Sequence, residues 1–306
     1  MRVLVAIDGS DSASLAVDLV ADVAWPRGTT IRVVEAIETG AALFGGPWPT
    51  LALVQADELE AQLRLGANAT VQEAQARLTR AGLTVESVVL RGRPATTLVD
   101  EARRMAADLM VVGSHGHGTI ESMLLGSVSA EVIDHAMTPV LVARRRRIDR
   151  VMLAWDGSTS ASRAAELLGL WPIFARSLVR VVSVADLEIP WWPDFPGAGS
   201  PELMEIYVAA GDASRSRHDL LAAEMTVKLQ AAGLTAEADR REGDAATEIL
   251  AAAQGFKADL ILLGTRGRTG VARLVLGSVA RNVLHHASSS VLVVRETPQE
   301  AATTDA

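Results

Sequence analysis

The chain has 306 residues, 49% of them hydrophobic, which is enough for two domains of ordinary size, each burying its own core. Its 37 acidic residues outnumber 29 basic ones, and the net charge of −8 argues against nucleic-acid backbones or anionic membrane surfaces as partners. Cysteine is absent, which excludes disulfides and thiolate metal sites.

The first apolar run, Val3 to Ile7, stops at Asp8 and is too short for the core of a signal peptide. No later run approaches the length of a membrane span, so a cytoplasmic location is the default expectation. In chain order, short apolar runs at 2–7, 30–37, 84–90, 108–113 and 139–143 predict strands. Amphipathic stretches at 10–24, 56–81, 94–106 and 127–136 predict the helices between them. Strand pattern resumes at 150–155, 179–185, 234–240, 259–264 and 290–295. Strands such as Leu109-Met110-Val111-Val112 are apolar on both faces, as in parallel sheets covered by helices on both sides. The prediction is therefore an α/β chain of two tandem Rossmann-like domains, each a five-stranded parallel sheet.

Self-similarity supports the duplication. Val5-Ala6-Ile7-Asp8-Gly9-Ser10 is answered by Leu153-Ala154-Trp155-Asp156-Gly157-Ser158, 148 positions later. Gly113-Ser114-His115-Gly116 with Gly126-Ser127 is answered by Gly264-Thr265-Arg266-Gly267 with Gly277-Ser278, 151 positions later. The copies are assigned to 1–146 and 148–296, with 297–306 as a flexible tail. The tetrad Arg144-Arg145-Arg146-Arg147 between them reads as a solvated linker rather than a nucleic-acid patch. Proline and glycine in Phe44 to Pro49 and in Pro190 to Pro196 point to irregular segments, either lids over a ligand or packed loops.

In open α/β sheets, ligands collect beyond the carboxyl ends of the strands where strand order reverses. Asp8 closes the first strand and Gly113 the fourth, so both should meet at that crevice, as should Asp156 and Gly264. Each copy carries G-x2-G-x9-G-S, with the final Gly-Ser opening a helix. Glycine lets the backbone approach a ligand closely, and a helix start offers unpaired N–H groups and a positive dipole end. These are the parts of a phosphate cradle, in which the Ser127 and Ser278 hydroxyls would both cap the helix and bond phosphate. No Walker loop occurs, and the only lysines are Lys228 and Lys257.

With these motifs in both copies, the chain resembles the ATP-binding branch of the universal stress proteins, a family with the adenine nucleotide α-hydrolase-like fold. The resemblance covers nearly all of both copies. It implies that Ala6, Asp8 and Ala36 face adenosine while Gly113, Gly116, Gly126, Ser127 and Val128 hold ribose and phosphates. In the second copy the same roles fall to Ala154, Asp156, Val184, Gly264, Gly267, Gly277, Ser278 and Val279. The implied ligand is ATP, with AMP or ADP as alternatives and Mg2+ left open. Pairing of the two fifth strands into an intramolecular pseudo-dimer is also implied, with a homodimer as a further option.

The copies differ in two of these motifs. Gly92-Arg93-Pro94 resembles the family's G-x-P, whereas the second copy has Gly243-Asp244-Ala245, where Asp244 would either repel phosphate or cap its helix. The glycine loops hold His115 and His117 in one copy and Arg266 and Arg268 in the other. His285-His286 is read as structural, at a helix C-terminus. The leading expectation is a stress-response regulator that binds ATP, with slow hydrolysis at most. The alternatives are an interaction scaffold that binds no nucleotide and, less favoured, an adenylyl-transferring enzyme.

Overall fold

The computed structural model describes residues 1–38, 49–116, 125–185, 200–265 and 276–296; the side chains of 49–59, 202 and 203 fall outside it. The first copy runs β1 (Arg2–Ala6), α1 (Asp11–Asp22), β2 (Thr30–Ile37), α2 (Pro49–Arg80), β3 (Thr84–Arg91), α3 (Pro94–Arg104), β4 (Leu109–Gly113), α4 (Ser127–His135) and β5 (Val140–Ala143). The second runs β6 (Arg150–Ala154), α5 (Thr159–Leu170), β7 (Leu178–Ala185), α6 (Pro201–Ala231), β8 (Thr235–Glu242), α7 (Ala245–Phe256), β9 (Leu260–Gly264), α8 (Ser278–His286) and β10 (Ser290–Val294).

One sequence expectation is adjusted here. Pro49 opens α2 instead of lying in an irregular segment, because proline's fixed φ and missing N–H suit a first helical turn. The rest of that segment, residues 190–196 and the tail 297–306 lie outside the described residues. The three residues by which the copies differ in length fall between the second and third strands, since β7 starts 148 positions after β2 and β8 starts 151 after β3.

All ten strands form one sheet in the order β3-β2-β1-β4-β5-β10-β9-β6-β7-β8. Within each copy every pairing is parallel, and order reverses between β1 and β4 and again between β6 and β9. The copies join through one antiparallel ladder, Val142 opposite Val291, Leu141 opposite Leu292 and Val140 opposite Val293. Leu292 is Leu141's own counterpart in the repeat, so an internal two-fold axis passes through this pair.

Both faces of the sheet are covered. Side chains of α1, α2, α5 and α6 pack with Val3, Val5, Leu153 and Leu262 in one core; α3, α4, α7 and α8 pack with Leu4, Met110, Met152 and Ile261 in the other. Each core contains residues of both copies, and each fully buried Val, Leu or Ile contributes about 1.5–3 kcal/mol. The outermost strands are different. On β8, Thr235 to Glu242 is mostly polar, and Arg180 and Arg241 pair with Glu237 and Asp239 across and along that edge. On β3, Glu86 pairs with Arg32.

α7 ends on Lys257 in the left-handed region, φ 53°, and α3 is followed by Ala106 at φ 47°, 151 positions earlier. Glycine adopts this conformation without a Cβ penalty. Lys257→Gly is therefore expected to raise stability by about 0.5–1 kcal/mol, measured as a higher urea midpoint with unchanged m-value.

Candidate nucleotide-binding site

Each copy's first strand ends in a turn that its Asp-Gly-Ser sequence dictates. Asp8 Oδ1 accepts the Ser10 N–H at 3.0 Å, Gly9 takes φ 81°, and Ser10 caps α1 by accepting the Ala13 N–H at 3.2 Å. In the second copy Asp156 accepts from Ser158 at 2.9 Å, Gly157 has φ 79°, and Ser158 caps α5 at 3.3 Å.

The glycine motif lies directly across the switch point. A Cβ on Gly116 would stand 2.6 Å from Asp8 Oδ2, so the second glycine of the motif is placed against the first-strand aspartate. A Cβ on Gly113 would stand 2.9 Å from the Ser12 carbonyl carbon and 3.0 Å from the Ala13 nitrogen. Gly264 is equally confined, 2.8 Å from both Ser160 and Ala161 backbone atoms. These first glycines let the fourth strand approach the first helix of its copy. Ser12 Oγ hydrogen-bonds the His115 carbonyl and pins the loop to α1, while the Gly126 N–H donates to Ser114 O at 2.7 Å. The matching Gly277 N–H donates to Thr265 O at 2.8 Å.

The cap of the fourth helix is not the one expected from the sequence. Gly126 and Gly277 are the N-caps, and Ser127 and Ser278 are the first helical residues. A glycine in that place supplies no side-chain bond to the first-turn N–H groups, those of Ser127 and Val128 in α4 and of Ser278 and Val279 in α8. Ser129 Oγ donates to the Gly113 carbonyl at 2.8 Å and ties α4 to the end of β4; Ala280 stands at the matching position of α8.

Ala6 ends β1 and is buried, and Ala36 on β2 packs on the same side of the sheet. Ala154 and Val184 occupy the corresponding places in the second copy. Asp8, Ala6, Ala36, Gly113, Gly116, Gly126, Ser127 and Val128 therefore lie at or just beyond the carboxyl ends of β1, β2 and β4 and at the start of α4, with Asp8 and Gly116 side by side. In the second copy Asp156, Ala154, Val184, Gly264, Gly277, Ser278 and Val279 hold the matching places on β6, β7, β9 and α8, while Gly267, His117, Arg266 and Arg268 lie outside the described residues.

Asp244 is the N-cap of α7, accepting the Thr247 N–H at 2.9 Å and the Thr247 hydroxyl at 2.5 Å, and these bonds hold its carboxyl below its ordinary value. Its counterpart, Arg93, makes no capping bond, but Pro94 occupies the first turn of α3.

The model of the universal stress protein family matches residues 1–144 and again 147–295. The chain belongs to the universal stress protein family. Universal stress protein Rv2623 of Mycobacterium tuberculosis is 28% identical over 97% of both chains. Universal stress protein YxiE of Bacillus subtilis is 29% identical over 98% of its own length and 47% of this chain, one copy's worth. A universal stress protein crystal structure from Archaeoglobus fulgidus superposes with a TM-score of 0.66, covering 97% of this chain and 98% of that one at 19% identity. Universal stress proteins of one copy and of two copies are thus both among its relatives.

Two outcomes test the backbone reading. Gly113→Ala is expected to cost about 1–3 kcal/mol by overpacking against α1, read by chemical denaturation. Asp244→Ala is expected to cost about 1 kcal/mol at neutral pH. Because the folded-state pKa of Asp244 is depressed, that contribution is present above its unfolded value and is lost as pH falls through the folded one. The gap between wild type and variant should therefore close below about pH 4, in denaturation curves taken across that range.

Proposed function

We propose that this universal stress protein binds an adenine nucleotide, ATP or its di- or monophosphate, at the crevice of each copy and acts in the stress response by binding rather than rapid catalysis. The observation that carries the reading is the meeting of Asp8 with Gly116 beside a fourth helix whose N-cap is a glycine. A phosphate oxygen can accept from the first-turn N–H groups of such a helix, and the dipole of the helix favours its charge. Asp8 uses Oδ1 in its turn, and its Oδ2 lies beside Gly116, so the carboxylate assigned to the adenosine borders the glycine loop. The resemblance to the family's ATP-binding branch supplies the adenosine assignment to Ala6, Asp8 and Ala36 and to Ala154, Asp156 and Val184. The phosphates are assigned to Gly113, Gly116, Gly126, Ser127 and Val128, and to Gly264, Gly267, Gly277, Ser278 and Val279. Mg2+ would accompany the triphosphate by neutralising its charge, and the site supplies no lysine for a Walker-type hydrolysis.

The expected place of action is the cytoplasm, where ATP is abundant. Among the described residues no helix is long and apolar enough to cross a membrane. A second reading, a scaffold that uses the fold without nucleotide, draws on the β5–β10 ladder, whose residues are separate from the crevices.

Denaturing the purified protein and identifying the released nucleotide by chromatography and mass spectrometry distinguishes the two readings. About two nucleotides per chain are expected, following the two copies of the motif, with one lost in Gly116→Glu and the other in Gly267→Glu. No nucleotide, even after soaking in excess ATP, would leave the scaffold.

A further inference from the structure

The basic tetrad is not a solvated linker throughout. Arg144 is partly buried, and its Nη2 donates to the Leu284 carbonyl of α8 at 2.6 Å, across the internal two-fold axis. Its counterpart 151 positions later is Arg295, which is buried, just past β10. Nη2 of Arg295 donates to the carbonyls of Ile133 and Asp134 in α4, each at 2.8 Å. Each arginine thus leaves the joining strand of its own copy and closes the C-terminus of the other copy's fourth helix. Those carbonyls belong to the last turn, which has no intrahelical donors.

α4 and α8 are nine residues long, so each spans only about 14 Å from its clamped end to its glycine loop. The cation at one end and an anion at the other both complement the helix dipole. A helix this short shifts as one body, so what holds its C-terminus also places its N-terminal N–H groups. We propose that Arg295 positions the phosphate-facing helix of the first copy and Arg144 that of the second, so that each nucleotide site is completed from the opposite copy. The inference rests on the nucleotide reading for its ligand, but its geometry stands without it.

The two clamps are unequal. Arg295 holds two carbonyls where Arg144 holds one. Burial also lowers the pKa of Arg144 to about 10. Beside it, at the position matching Asp134, stands His285, whose pKa is lowered chiefly by burial, with Arg144 among the lesser causes. The Arg144 clamp is accordingly the weaker one.

The test uses the full chain with one site disabled at a time. With Gly267→Glu leaving the first site, Arg295→Met should weaken ATP binding by calorimetry about tenfold, whereas Arg144→Met should change it less than about twofold. With Gly116→Glu leaving the second site, the pattern should cross, with a smaller loss from Arg144→Met. Amide hydrogen exchange on the nucleotide-free chain reads the same effect without ligand: Arg295→Met should speed exchange in 127–136 more than in 278–287, and Arg144→Met the reverse. Arg295→Lys, which keeps the charge but not the forked donors, guards against loss of fold and should fall between wild type and Arg295→Met. Losses confined to the variant's own copy, equal losses at both sites, or unchanged exchange in the opposite helix would overturn the proposal. If the wild-type chain binds no ATP, the nucleotide reading fails, and the exchange pattern still decides the clamp.

Discussion

The antiparallel ladder between β5 and β10 is the constraint from which the other features follow. A single five-stranded copy would end on Val140–Ala143, a strand buried on both faces whose outer N–H and C=O groups would be left unpaired. Pairing that edge with its own repeat satisfies the backbone and makes the core on each face of the sheet continuous across both copies. Because both partners lie on one chain, the pairing is intramolecular and independent of protein concentration.

The crevices inherit their geometry from this frame. The ladder fixes β5 and therefore β4, and β4 delivers Gly113 against the first turn of α1. Within the Asp-Gly-Ser turn the two carboxylate oxygens are placed differently: Oδ1 builds the turn, and Oδ2 lies beside Gly116 of the glycine loop.

Much of this was legible in the sequence because period and repeat both spoke. The apolar runs and the doubly wound rule set β1 beside β4, and the switch point between them brought Asp8 to the glycine motif through Gly113. The cap of α4 was misassigned to Ser127 because serine is the common N-cap, whereas Gly126 takes that place with extended dihedrals. The arginine tetrad was misread because charge runs are usually solvated, and sequence does not show that a carbonyl-rich helix end lies opposite. Arg295 drew no attention as a lone arginine after a strand. The repeat held the missing signal, since Arg144 and Arg295 occupy equivalent positions.

The outer edges carry a different kind of information. With both apolar edges consumed at the centre, the sheet can lengthen only at β3 and β8, and there it meets Glu86, Glu237, Asp239 and their arginine partners. A further strand docking on either border would have to strip water from these paired charges, a costly step that the apolar centre never faces. The molecule is thus sticky at its midline and self-terminating at its borders. Any association between whole chains is directed to the helical faces, leaving the sheet at ten strands.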